Sequence, residues 1–396
     1  MKWPAKRITE SSTKSFGMYE KAIPMMEQGI DVIHLEVGMP SFDTPAHIKE
    51  AAKQALDDGQ VHYSDFRGLQ KFREALAEKV FERNYIEAQA DEILVCSGVT
   101  HAAFAICMAA IDTGDEVIVL EPYYPQHVNK IELPGGKVVP VPLDKANGFR
   151  IDAEAIERAV TPRTRMIALV NPANPTGRVF TYEELESLAD VARRHDLLIM
   201  SDEVYEQITY DGNRHISIAS LPGMKERTLT MYAFTKAYAM DGWRMGYIVA
   251  DKKFMPAILK ITMNDIAHLN TFIQEGGYAA IKGSQDCVRQ MVIEDKRRGE
   301  LIVRRMNAMP GVSCRMPEGT IYAFPDVSAT GVPSEQIANE LLEQAHVVVE
   351  EGTFYGDTGE GHLRICFGAE PIERIEEAMD RLEEYFTKLM QERGQI

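Results

Sequence analysis

AFTKAYAMDGWRMGYIVA, residues 233–250, sets two cations against two apolar runs. Lys236 stands at the end of TLTMYAFT (228–235), and Arg244 directly precedes MGYIVA (245–250). A cation at the mouth of a buried strand is costly to hold unless something meets its charge. Other segments of the same half are built alike. DEILVCSG (91–98), DEVIVLEP (115–122), RMIALVNP (165–172) and LLIMSDEVY (197–205) are short, nearly continuous apolar runs, each closed by polar residues. Runs of that length suit strands buried on both faces. Helix-like stretches separate them. VTHAAFAICMAAIDTG (99–114) ends in a Thr-Gly stop. TYEELESLADVARRHD (181–196) opens with Thr181 and Glu184, spaced as a capping box. The alternation predicts an α/β fold with a mostly parallel sheet covered by helices.

A chain of 396 residues exceeds the size at which one core stops growing, so two domains are expected. The C-terminal part has a different texture. HVVVEEGTFYG (346–356) and GHLRICFG (361–368) read as strands. Residues 371–394 read as a helix, with Ile372, Ile375, Met379, Leu382, Phe386 and Leu389 on one stripe. A smaller α+β domain is therefore expected after about residue 290.

Hydrophobic residues make up 45% and charged residues 26%, an ordinary globular balance. A formal charge of −17 argues against nucleic acid or an anionic membrane as partner. MKWPAKRITESSTKS (1–15) lacks an apolar signal core, and no run reaches the length of a membrane span. Five scattered cysteines without a C-x-x-C pair read as reduced core thiols of a cytoplasmic protein. The ten histidines show no metal-ligand spacing, and no metal is expected. GDTGEG (356–361) has glycines but neither the arrangement nor the following helix of a phosphate loop.

In open α/β sheets, ligands sit at the carboxyl ends of the strands. The residues at those ends are Thr100, Tyr124, Asn174, Asp202, Tyr205, Lys236 and, on the next loop, Arg244. Lys236 suits a Schiff base to a carbonyl. Asp202, after a buried strand, needs a cationic partner, for which a protonated pyridine nitrogen serves. Tyr205 and Asn174 can donate to a phenolate oxygen, and Tyr124 can stack on a flat ring. Arg244, the Thr235 hydroxyl and the backbone at SGVTH (97–101) can hold a phosphate. Together these groups match pyridoxal phosphate. Singly, each has a plainer reading: Asp202 as a helix cap, NPANPTG (171–177) as a turn, Arg244 as a surface ion-pair partner.

With LEVGMPSFDTP (35–45), YSDFRGLQKFREALA (63–77), NPANPTG, SDEVY and FTKAYAMDGWRMGY (234–247) added, the chain resembles the class I/II aminotransferases. These are fold type I pyridoxal-phosphate enzymes of the aspartate aminotransferase superfamily. The resemblance implies a large cofactor-binding domain over 46–289 and a small domain made of 1–45 with 290–396. It implies that Lys236 forms the covalent link to the cofactor and moves the proton. Asp202 would keep the ring nitrogen protonated, Tyr205 and Asn174 would bind the ring oxygen, and Tyr124 would stack on the ring. Arg244, Thr235 and the Val99 and Thr100 backbone would grip the phosphate. Tyr63 would reach the cofactor phosphate of a neighbouring subunit in a homodimer. Arg364 would clamp the substrate α-carboxylate, assisted by Asn174 and the Gly38 backbone. Relatives often carry glycine where Val99 stands, and a positive φ there would be strained. Thr100 stands where dicarboxylate-specific relatives can carry lysine, which favours a neutral or aromatic amino donor with a 2-oxo acid acceptor. The same motifs also serve C–S β-lyases and cyclopropane-forming synthases. A DNA-binding regulator built on this fold is disfavoured by the charge.

Overall fold

The computed structural model describes residues 3–11 and 17–396. Part of the 1–15 stretch, and part of the expected small domain, thus lies outside the described residues. Twelve strands occur among them: β1 (Ile33–His34), β2 (Ile93–Cys96), β3 (Glu116–Glu121), β4 (Lys137–Pro142), β5 (Thr164–Val170), β6 (Leu198–Asp202), β7 (Thr228–Ala233), β8 (Gly246–Val249), β9 (Tyr322–Ala323), β10 (Val347–Val348), β11 (Glu350–Glu351) and β12 (Leu363–Cys366). Seven form one sheet in the order β2-β8-β7-β6-β5-β3-β4. The sheet is parallel except for β8, which runs against both β7 and β2. Sequence does not announce that reversal. It arises because residues 234–245 turn back on themselves without a crossover helix, and a parallel return needs one.

The apolar runs bury both faces, as their continuity predicts. Val117, Val119, Met166, Ala168 and Met200 join one apolar cluster, while Ile118, Leu120, Ile167, Leu169 and Ile199 join another. This period-two division puts helices on each side.

The helices that matter below are α1 (Met18–Glu27), α2 (Gly98–Ala110), α3 (Pro125–Glu132), α4 (Tyr182–Arg194), α5 (Asp286–Met306) and α6 (Ile372–Glu392). The capping box of α4 forms. Thr181 Oγ1 accepts from the Glu184 N–H at 3.3 Å, and Glu184 Oε2 accepts from the Thr181 N–H at 3.0 Å. Along α6, Ile375, Met379, Leu382 and Phe386 are fully buried and Ile372 and Leu389 pack at the margin, so the stripe lies on a core.

That core gathers Met18, Ile33 and Leu35 with α6, β9, β10 and β12. The parallel pair β1–β10 joins the two ends of the chain. On these contacts we propose the expected division, 46–289 against 1–45 with 290–396. The chain has no break at that boundary: α5 runs unbroken through residue 290. Among the described residues no helix is long and apolar enough to cross a membrane, and no three His, Cys, Asp or Glu side chains cluster as metal ligands. Cys96, Cys107, Cys314 and Cys366 are buried and Cys287 is half-buried, all as free thiols.

Removing the α4 cap with Thr181→Ala should cost about 1 kcal/mol, because the Glu184 N–H loses its acceptor. Urea unfolding of the variant beside wild type measures this.

Candidate active site

Parallel strands end together, so their polar termini meet at one edge of the sheet. A cavity of about 650 Å³ opens there. Of the expected residues, Gly38, Val99, Thr100, Tyr124, Asn174, Asp202, Tyr205, Thr235, Lys236, Arg244 and Arg364 all line it. Tyr63 does not. It stands on the surface, 88% exposed, with its ring edge-on to His268 at 5.5 Å.

The end of the cavity near α2 is cationic. The chain leaves β2 through Ser97 and enters α2 at Gly98, so the first free N–H groups of the helix face the site. Gly98 has φ +77°, and a β-carbon there would stand 2.9 Å from Arg244 Nη2. Glycine thus allows both the turn and the close approach of the guanidinium. The strain anticipated at Val99 does not arise, because the left-handed position is Gly98. Arg244 itself has φ 52°, a costly conformation for a side-chain-bearing residue, and its Nη1 donates to the Asp241 carbonyl at 2.7 Å.

At the opposite pole Asp202 is 3% exposed. Its Oδ1 accepts from the Val204 N–H at 3.2 Å, and its Oδ2 lies 2.9 Å from His127 Nε2. His127 is a neighbour of Asp202 that sequence reasoning missed. It lies in EPYYPQH (121–127), three residues after Tyr124, the N-cap of α3, a spacing that places both on one face. Tyr124 and His127 meet edge-to-face at 5.1 Å. Tyr322 was missed as well. Its hydroxyl is 2.7 Å from that of Tyr205, and β9, which carries it, is too short to show a pattern. Burial pushes the Tyr322 phenol up to about 12. Burial, with Tyr322 adding to it, holds Tyr205 well above the usual range, so both keep their protons near neutral pH.

Lys236 is half-buried, and its Nζ donates to the Gly38 carbonyl. Burial is the main force on it. It lowers the amine to about 8, and the charges of Arg364 and Arg244 push the same way against Cys366 and Asp241. Arg364 is 7% exposed. Its Nη2 donates to the Glu36 carbonyl, its Nη1 lies 3.5 Å from Asn174 Oδ1, and its Nε is buried without an acceptor. Its guanidinium faces the rings of Tyr322 and Tyr355 at 4.5 and 5.1 Å. A buried fork with unused donors is made for a carboxylate.

An amine-bearing cavity with a cationic cradle at one pole and a buried carboxylate at the other, on a mostly parallel sheet of this order, defines a fold type I pyridoxal-phosphate transferase. The aminotransferase class I and II family model matches residues 30–382, and the chain belongs to that family. It is 41% identical over 365 residues to aromatic-amino-acid aminotransferase 2 of Thermococcus litoralis, covering 90% of this chain and 92% of that one. It is 42% identical over 359 residues to an aspartate aminotransferase of Pyrococcus abyssi, covering 89% and 91%. Among solved structures, the aromatic aminotransferase of Pyrococcus horikoshii superposes with a TM-score of 0.88 at 39% identity, covering 95% of this chain and all of that one.

The depressed Lys236 amine has a direct consequence. In cofactor-free protein, imine formation with an aromatic aldehyde should rise with pH to a half-maximum near 8, whereas an ordinary lysine titrates above 10. Absorbance titration against Lys236→Ala isolates the signal.

Proposed function

We propose that the chain is an L-amino-acid:2-oxo-acid aminotransferase working through pyridoxal and pyridoxamine phosphate, with a neutral or aromatic amino donor. The observation that carries this is the meeting, in one cavity, of the Lys236 amine lowered to about 8, the buried Asp202 carboxylate and the unused donors of Arg364.

These residues fit the cofactor. A 3%-exposed carboxylate whose side-chain partner is one imidazole has room for a cationic ring nitrogen. The glycine-cleared helix start beside Arg244 suits a phosphate. When bound, pyridoxal phosphate supplies an aldehyde carbon and a ring that accepts the electron pair left when the substrate Cα–H bond breaks. The protein's share is positioning and proton handling. Asp202, oriented by His127, would hold a proton on the ring nitrogen. Tyr205 and Asn174 would donate to the ring oxygen. Tyr124 would pack on the ring, and Arg244, Thr235 and the N–H groups of Val99 and Thr100 would hold the phosphate. Arg364, with Asn174 and Gly38 beside it, fixes the substrate carboxylate, which aims Cα at Lys236. With a pKa near 8, Lys236 Nζ could accept the substrate Cα proton and hold it for return.

The donor class is supported by Tyr19, Met26, Met39 and Phe354, which give the cavity part of an apolar and aromatic lining. The exposure of the Tyr63 ring supports a homodimer with shared sites, in which Tyr63 would reach a neighbouring chain's site. The free thiols accord with a cytoplasmic location.

Initial-rate kinetics with varied donor and acceptor should give the parallel double-reciprocal lines of a ping-pong reaction. Turnover without a 2-oxo acid, releasing ammonia and pyruvate from a cysteine conjugate, would instead identify a lyase. Arg364→Ala should lower kcat/KM by about 10- to 100-fold, the worth of charge-assisted hydrogen bonds to a carboxylate.

A further inference from the structure

The proposed chemistry leaves two buried acids of the cavity wall unused: Glu36, whose carboxylate lies 2.8 Å from His34 Nδ1, and Glu350. Glu350, on β11, pairs in register with Arg364 on the antiparallel strand β12, so both side chains leave the same face. Glu350 is 3% exposed. No hydrogen bond or ion pair joins the two among the described residues. Both carboxylate oxygens of Glu350 instead face the backbone N–H of Met18, at 3.3 and 3.2 Å. Met18 is the first residue of α1, whose free N–H groups and positive pole attract a carboxylate. The approach is so close that residue 17 has to lack a side chain. Gly17 has φ +51°, and a β-carbon there would stand 2.0 Å from Glu350 Oε2. Arg364 meanwhile keeps a bare Nε and a long contact to Asn174.

We propose that Glu350 is the resident counter-ion of Arg364, a positioning residue held off the guanidinium by the N-terminus of α1. When ionised it balances the buried charge while leaving the donors of Arg364 free for a substrate carboxylate. This rests on the reading of Arg364 as the carboxylate site.

The surrounding charges give the inference its sign. Burial pushes Glu350 up to about 8, with Glu351 and Glu36 adding to the rise and Arg364 and the Met18 N–H opposing it. Tyr355 also faces the acid. Burial works against the charge of Arg364, yet Tyr355, Tyr322 and Glu350 hold it protonated more firmly than an ordinary arginine. A carboxylate arriving at Arg364 cancels the attraction that keeps Glu350 ionised. Glu350 then ionises at higher pH in the complex than in the free site, so binding takes up a proton. Reciprocally, carboxylate binding weakens as pH rises through about 8.

The test is titration calorimetry of the cofactor-loaded enzyme with 3-phenylpropionate, a carboxylate with no amino group, on both sides of pH 8. Wild type, Glu350→Gln and Arg364→Ala are compared in buffers of different ionisation heat. Wild-type affinity should fall as pH rises past the Glu350 ionisation of the free site, several-fold in all, with matching proton uptake. Glu350→Gln retains an oxygen for the Met18 N–H. It should bind several-fold tighter than wild type above pH 8, with a flatter profile and less proton uptake. Equal or weaker binding by Glu350→Gln, with the wild-type pH profile, overturns the counter-ion role and leaves Glu350 a structural cap. Absence of proton uptake by wild type overturns it too, whether or not the variant folds. If Arg364→Ala binds as wild type does, the carboxylate site lies elsewhere and the underlying reading of Arg364 fails first.

Discussion

The registry of parallel strands at one sheet edge is the constraint on which the site depends. Val170 pairs with Asp202 and Asp202 with Met231, so β5, β6 and β7 finish at nearly the same level. Each strand is apolar almost to its last residue, and its polar residues fall just past the end, where helices no longer cover the sheet. Asn174, Asp202 and Lys236, far apart in sequence, thereby share a single cavity. The antiparallel β8 extends the effect. Its start, not its end, lies at this edge, which returns Arg244 to the site only a few residues after Lys236.

The second organising force is charge in a buried space. Lys236, Arg244 and Arg364 meet Asp202 and Glu350 in one cavity, yet among the described residues no ion pair to a carboxylate consumes these cations. Backbone groups occupy part of each instead. Lys236 reaches the Gly38 carbonyl, Arg244 the Asp241 carbonyl, Arg364 the Glu36 carbonyl and Glu350 the Met18 N–H. A neutral partner steers a charged side chain without cancelling it, so its remaining valence stays available to ligands.

The sheet was legible because buried parallel strands leave continuous apolar runs, and the strand-end residues followed from that pattern with simple donor and acceptor chemistry. Arg364 was reached through family resemblance, since GHLRICFG alone gives a cation in a strand and no reason for it. Tyr322 and Glu350 were illegible for a physical reason. They sit on two-residue strands, β9 and β11, where no periodicity can develop and tertiary packing decides direction. His127 stood in plain view beside Tyr124, but its partner is 75 residues away. The unbroken helix α5 shows why composition could not mark a boundary near 290.

The most direct test of the central claim is the visible absorption spectrum of protein supplied with pyridoxal phosphate, for wild type and Lys236→Ala, as amino acids are added one at a time. Wild type should show a Schiff-base band that depends on Lys236 and bleaches to a pyridoxamine spectrum with neutral or aromatic donors. A wild-type spectrum without a lysine-dependent band would contradict the assignment of Lys236 as the covalent anchor.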